Sequence, residues 1–244
     1  MPELSLIIPA FNESESLPHL IEGMQTFCTE DIEVIIVDNG SSDNTFEIGT
    51  KLTQQFSFLK IVRTQKNLGY GGGILLGLSF SKGNYLAWTH ADLQTNPKDV
   101  LVALKAAKAF AGDNVFVKGV RKNRSLIPAM LSLFMQISAS LILKTRLTEI
   151  NAQPKLFTRK LYSELHAGDP PKDFSLDLFI YLLAIRSAAT VIEIPVDFAS
   201  RQFGEAKGGG ASLLTIAKIS ARTLRYIMET RNSLKGSKYE NRST

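Results

Sequence analysis

The chain has 244 residues, 44% of them hydrophobic and 21% charged, which suits one large α/β domain or two small ones; no run of Pro, Ser or Gly divides it. The single Cys28 excludes an internal disulfide and any cysteine-based zinc site. A formal net charge of +5, with the basic residues concentrated after residue 118, fits nucleic acid, an anionic substrate or a membrane surface equally well, but no zinc-finger, RNA-recognition or basic-zipper pattern is present and no nucleic-acid partner is expected. Met1-Pro2-Glu3-Leu4 lacks the basic region and apolar core of a signal peptide, so a cytoplasmic protein is expected.

Leu4 to Ile8 reads as a buried strand ending at Pro9, and the polar residues Asn12 to Ser16 lead into a helix to about Phe27. Ile32 to Val37 is a second strand, Asp38 to Asp43 its loop, and Thr45 to about Gln55 a helix. Phe58 to Val62 gives a third strand, followed by the glycine-rich 67–73 stretch and a helix through Phe80. These glycines match no dinucleotide or phosphate-loop spacing, and imply either a close backbone approach or a simple turn. Tyr85 to Trp88 is the fourth strand, and Asp99 to Phe110 the next helix. Strands alternating with helices in this way predict a parallel, doubly wound sheet with right-handed crossovers, which binds ligands at the carboxyl ends of its strands. The loops Pro9 to Glu13, Asp38 to Asp43 and His90 to Gln94 all fall at that edge.

His90, Asp92 and Gln94 alternate, so in extended backbone they face one way and offer an imidazole, a carboxylate and an amide oxygen. That is a candidate divalent-metal site; the other reading is an ordinary strand-end loop, with Asn96 capping a helix that begins at Pro97.

Val115 to Val120 is a fifth strand, and Lys118, Arg121, Lys122 and Arg124 that end it form a candidate anion site. Leu126 to Leu143 is eighteen residues without a charge, yet Pro128, Gln136 and three serines favour a helix packed on the core or lying in a membrane surface over a span. Glu149 to Phe157 reads as a turn feeding a short strand. Asp173 is the expected cap of a helix to about Arg186, in which Asp177 has no capping role, and Val191 to Val196 is the last strand. Residues 201–210 make a basic, glycine-rich loop. Ser212 to Arg231 is an amphipathic helix, with Leu213, Ile216, Ala217, Leu224 and Ile227 opposite Lys218, Arg222, Arg225 and Glu229. It serves either to dock on the domain or to enter an anionic leaflet.

Five loops, taken together, resemble the family 2 glycosyltransferases, in the order seen there: Pro9-Ala10-Phe11-Asn12-Glu13, Val37 to Asp43, Asn67-Leu68-Gly69, His90 to Gln94, and Arg201-x-x-Gly204-x-x-Lys207. The branch most similar contains dolichyl-phosphate mannose synthases and polyprenyl-phosphate sugar transferases. The resemblance covers about residues 4–210. It implies an α/β GT-A fold, a nucleotide-sugar donor and inversion at the anomeric carbon. By that resemblance Pro9, Ala10, Asn12, Glu13, Asp38, Asn67 and Gly69 lie on the nucleotide side. His90, Asp92 and Gln94 would hold Mg²⁺ or Mn²⁺, with His90 standing where the family has Asp; Arg201 and Lys207 would close over the diphosphate. Arg121 matches an acceptor-side Arg, with Lys118 and Arg124 nearby. Asp177 matches the position that carries the base where the acceptor is a hydroxyl.

These readings imply a GT-A domain over 1–211, an amphipathic helix over 212–231 and a disordered tail over 232–244. The expected enzyme is a metal-dependent glycosyltransferase of cell-envelope glycan synthesis, peripheral on the cytoplasmic membrane face. It would move a hexose from a UDP- or GDP-sugar to a polyprenyl phosphate. The alternatives are a saccharide hydroxyl as acceptor and a non-catalytic nucleotide-sugar binding module.

Overall fold

The computed structural model describes residues 1–110, 112–122, 126–165, 169–199, 201 and 221–231, with backbone alone for 126–132. The chain divides into two compact units, Met1–Asn123 with Asn151–Gly204, and Arg124–Ile150 with Glu205–Thr244.

The larger unit holds a seven-stranded sheet built from β1 (Leu4–Ala10), β2 (Ile32–Asp38), β3 (Leu59–Arg63), β4 (Tyr85–Trp88), β5 (Val115–Lys122), β6 (Lys155–Thr158) and β7 (Thr190–Asp197), in the order β3-β2-β1-β4-β6-β5-β7. The helices α1 (Ser16–Gln25), α2 (Thr45–Gln55), α3 (Tyr70–Ser79) and α4 (Asp99–Ala109) connect the first five strands. β1 and β2 are buried along almost their whole length, which a sheet covered on both faces demands and which their unbroken apolar runs supply. Each fully buried Ile, Leu or Val there contributes about 1.5–3 kcal/mol.

The expected parallel sheet is interrupted once. β6 runs antiparallel to both β4 and β5, with Ala87 opposite Leu156 and Phe116 opposite Phe157. The chain leaves β5 at the carboxyl edge of the sheet and returns at that edge, so β6 runs back down before α6 (Arg159–Leu165). That helix is not predicted from the sequence. The chain then passes through α7 (Leu176–Arg186) into β7, again parallel to β5.

Several boundaries shift for identifiable reasons. Pro9 lies inside β1, opposite Val37, because the β4 side of the ladder ends where Thr89 N–H meets Ile7 O and no N–H is needed from residue 9. Gly71 to Gly73 are not loop but the first turns of α3. Asn96 turns the chain by accepting the Lys98 N–H at 3.0 Å instead of capping a helix at Pro97, and α4 begins at Asp99, the start expected for the helix over Asp99 to Phe110. Asp173 likewise accepts the Ser175 N–H, one turn ahead of α7.

In the smaller unit α5 (Leu126–Leu143) is a helix as expected, and no helix among the described residues is long and apolar enough to cross a membrane. Its polar residues close its own C-terminal turn, with Gln136 Oε1 accepting the Glu149 N–H and Ser140 Oγ the Leu147 N–H. Ala139 and Leu143 are buried, while Leu133, Phe134, Ile137 and Leu141, the last 74% exposed, form one apolar stripe. Residues 221–231 are helical, with Ile227 buried; 212–220 and the tail, where the rest of the amphipathic helix and the disorder were expected, lie outside the described residues.

One carboxyl makes the fold pH-sensitive. Burial, and then the Asp197 charge, push Asp99 up from 3.8 to about 6, outweighing the preference of a helix N-terminus for negative charge. A carboxyl whose value is raised in the folded state stabilises below its ordinary value and loses that contribution as pH rises through about 6. Asp99→Asn should therefore gain stability at pH 8 relative to pH 4, by about 1 kcal/mol after solvent screening, as read from urea melts at the two pH values.

Candidate active site

β1 has β2 on one side and β4 on the other, and the chain winds outward in opposite directions from that point. The crevice beyond the carboxyl ends of β1 and β4 is the switch point at which such sheets bind ligands. Three loops meet there. In the first, Pro9 is partly and Ala10 fully buried, and Asn12 takes φ 52°. The Asn12 N–H donates to Ser41 Oγ at 2.9 Å, Asn12 Oδ1 accepts the Ser42 N–H at 2.8 Å, and the Glu13 N–H donates to Thr45 Oγ1. Backbone and side chain thus tie the β1 loop to the β2 loop.

Asp38 is fully buried at the end of β2, where one carboxylate oxygen accepts the Ser41 N–H at 3.0 Å and the other pairs with Arg63 at 3.1 Å. It braces the loop from beneath. Asn39 reaches the loop after β3: its amide NH₂ donates to Gly69 O at 2.9 Å and to Asn67 Oδ1, and its oxygen accepts the Leu68 N–H. The exposed Asn67 also accepts the Gly69 N–H. Gly69 has φ 83°, and a Cβ there would lie 2.5 Å from Lys172 O, so of the two readings of the glycine run the structure has the close backbone approach.

The β4 loop is not extended. Leu93 takes φ 58° and Asp92 Oδ1 accepts the Gln94 N–H at 3.1 Å, so the chain turns between Asp92 and Gln94. The expected strand-like alternation of His90, Asp92 and Gln94 is therefore replaced by a turn held by Asp92 itself. The Gln94 amide NH₂ donates to Ala199 O at 3.3 Å, fixing the loop to the chain after β7. His90 is half-buried, its ring 6.0 Å from that of Tyr70.

Arg201 joins two of these loops. Its Nη2 lies 2.6 Å from each Glu13 carboxylate oxygen and its Nη1 3.7 Å from Asp92 Oδ2. No group of three or more His, Cys, Asp or Glu among the described residues could hold a metal ion unaided. One carboxylate, one imidazole and one amide oxygen are instead donor types that suit Mn²⁺, or Mg²⁺ with its shell completed by substrate phosphates, and Asp92 Oδ2 faces Arg201.

Asp177 sits in a buried network around Tyr70, the residue whose ring lies beside His90. It is 1% exposed, its oxygens accepting from Gln153 Nε2 at 3.2 and 3.4 Å and from the Tyr70 hydroxyl at 3.4 Å. Gln153 Nε2 also donates to Tyr70 Oη at 2.7 Å. The Tyr70 ring stacks on Phe174 at 4.6 Å, and burial together with the Asp177 charge raises its hydroxyl well above the usual range, so it remains a proton donor. Tyr70, Gln153 and Phe174 were not singled out from the sequence; an aromatic residue inside a glycine run and an amide ahead of a buried strand are the signals they leave.

Lys118 is fully buried, 2.9 Å from Glu193 and 5.0 Å from the centre of the Tyr181 ring. Arg121 is half-buried with its guanidinium 5.4 Å from Phe198. The two stand an odd number of residues apart on β5, so strand alternation sends them to opposite faces, and the expected cationic cluster is not assembled by that strand. Arg124 and Lys207 lie outside the described residues.

The profile of "Glycosyl transferase family 2" matches residues 5–165. An undecaprenyl-phosphate 4-deoxy-4-formamido-L-arabinose transferase of Salmonella choleraesuis (strain SC-B67) is 29% identical over 211 residues, 84% of this chain; the chain spans 62% of that relative's length. Among solved structures, glucosyl-3-phosphoglycerate synthase from Mycobacterium tuberculosis, in complex with Mn²⁺, UDP and glucosyl-3-phosphoglycerate, superposes with a TM-score of 0.75 at 13% identity, covering 94% of this chain and 80% of its own. The mannosyltransferase of Pyrobaculum calidifontis in complex with GDP-Man and Mn²⁺ superposes with a TM-score of 0.63 at 19% identity, covering 83% of this chain and 58% of its own. These likenesses show the fold to be GT-A, a mostly parallel sheet flanked by helices.

Proposed function

Because the chain belongs to glycosyl transferase family 2, we propose that it transfers a hexose from a UDP- or GDP-sugar to a polyprenyl phosphate, with inversion. The observation that carries the choice of acceptor is the burial of Asp177. A saccharide hydroxyl has to lose its proton to a base within hydrogen-bond reach, and the candidate base is 1% exposed with its oxygens engaged by Gln153 and Tyr70. A lipid phosphate is already anionic near neutral pH and needs only to be held. The undecaprenyl-phosphate specificity of the 29% identical relative supports the same reading.

In this reading a phosphate oxygen of the acceptor attacks the anomeric carbon. The bond from that carbon to the donor diphosphate breaks, and its electron pair leaves with the nucleoside diphosphate. The β1 and β2 loops with Asn67 and Gly69 hold the nucleoside. Asp92, His90 and Gln94 would hold a divalent cation, Mg²⁺ or Mn²⁺, which supplies charge neutralisation at the diphosphate. Arg201 and Lys207 bind the departing diphosphate, and Arg121 holds the acceptor phosphate with Arg124. The apolar stripe of α5 belongs to a unit in which, among the described residues, Lys144, Arg146, Arg222, Arg225 and Arg231 outnumber Glu149 and Glu229, a composition that supports peripheral contact with an anionic leaflet.

Hydroxyl transfer is the second reading, favoured by the presence of an acid at position 177. Asp177→Asn separates the two. It should keep transfer to undecaprenyl phosphate within about tenfold of the parent, whereas loss of a catalytic base costs about 10²–10⁴-fold. A loss in that range, from protein with an unchanged thermal melt, would assign Asp177 the base role and favour the hydroxyl acceptor.

A further inference from the structure

The Arg201 guanidinium occupies a place that the proposed reaction needs for something else. Its Nη2 is 2.6 Å from both oxygens of Glu13, on the loop after β1, and its Nη1 is 3.7 Å from Asp92 Oδ2, on the loop after β4. The three side chains are only 13%, 11% and 15% exposed, so their charges are poorly screened by water. One cation therefore spans the switch point of the sheet and offsets two carboxylates, one of which is the sole acid of the β4 loop.

From this we infer that Arg201 is a resident counter-ion that keeps a divalent cation off Asp92 until a nucleoside diphosphate arrives. The inference rests on the reading of the β4 loop as the metal-holding loop. A dication that approaches Asp92 alone meets a guanidinium beside the same carboxylate, and the like charges oppose one another at short range. A diphosphate changes the balance, because it offers the planar guanidinium a bidentate anionic partner and leaves Asp92 to the metal. Metal and nucleotide then enter as a pair, each making room for the other, which is positive coupling between two ligands of one site. Glu13 gives the guanidinium a second anchor, and the Ser16 hydroxyl, donating to Glu13 Oε2 at 2.8 Å, holds that carboxylate in position.

The two halves of this role have opposite signs when the residue is removed, which a purely structural arginine would not produce. Mn²⁺ binding is measured by electron paramagnetic resonance on the full chain, with the metal alone and with added UDP or GDP, for the parent, Arg201→Gln and Asp92→Asn. Arg201→Gln should bind Mn²⁺ alone about tenfold more tightly than the parent, and Mn²⁺ with the nucleoside diphosphate about tenfold more weakly. Asp92→Asn should lose both. If Arg201→Gln binds the metal alone no better than the parent while Asp92-dependent binding with nucleotide persists, the counter-ion role is overturned and the metal loop stands. If Asp92→Asn leaves Mn²⁺ binding intact in every condition, the reading of the loop falls and the inference with it.

Discussion

Asp92→Ala is expected to lower sugar transfer by about 10²–10³-fold, the loss typical of removing one preorganised stabiliser of developing charge. His90→Ala should lower it only about tenfold. The two residues sit in one loop, but they are not equivalent. Asp92 brings the loop's only negative charge, its Oδ1 accepts the Gln94 N–H at 3.1 Å and so shapes the turn, and its Oδ2 faces Arg201. His90 brings an imidazole, half-buried beside the Tyr70 ring. Initial rates at saturating Mn²⁺ for the two variants measure the difference. Equal losses would mean that the loop acts through its shape alone.

Gly71→Ala is expected to destabilise the fold by about 2–3 kcal/mol, in the direction opposite to helix propensity. In an open helical site Ala would be favoured over Gly by about 1 kcal/mol. Here the added Cβ would lie 2.5 Å from Pro171 O, 2.8 Å from Asp173 O and 2.9 Å from Lys172 C. All three are backbone atoms, which cannot give way as the end of a side chain can. The neighbouring Gly72 N–H donates to Lys172 O at 3.0 Å, so the first turn of α3 and the 171–173 segment are already joined. Pushing them apart also disturbs the contact of Tyr70, in that first turn, with Asp177 of α7, which follows the segment. Urea denaturation of the variant gives the sign directly, and a gain in stability would show that the segment moves freely.

What could be read from the residues in order was whatever is local. β2 and α2 are legible because a run in which five of the six residues Ile32 to Val37 are β-branched, and a helical period, each declare themselves within a dozen positions. The three site loops are legible because polar residues follow strands too apolar to lie at a surface. The orientation of β6 was not legible: its four residues read as a strand in either direction, and the reversal depends on which sheet edge the chain returns to after residue 150. The turn at Asp92 was missed because alternation was read from spacing, while a carboxylate bonding two residues ahead and a left-handed Leu93 reset the backbone. Contacts such as Arg201 with Glu13, or Tyr70 with Asp177, join residues more than a hundred positions apart, and no periodicity records them. Burial inverted the expectation for Lys118, whose charge is satisfied within the fold by Glu193 rather than offered to an acceptor.

The central claim, sugar transfer to a lipid phosphate, is tested most directly by incubating the full chain with Mn²⁺ and radiolabelled UDP- and GDP-sugars in the presence of undecaprenyl or dolichyl phosphate, and then extracting into organic solvent. Label entering the organic phase with only one nucleotide sugar, and only when the lipid phosphate is present, is the predicted result. An unlabelled organic phase, together with nucleoside diphosphate release that depends on added oligosaccharide, would contradict it and transfer the acceptor role to a hydroxyl.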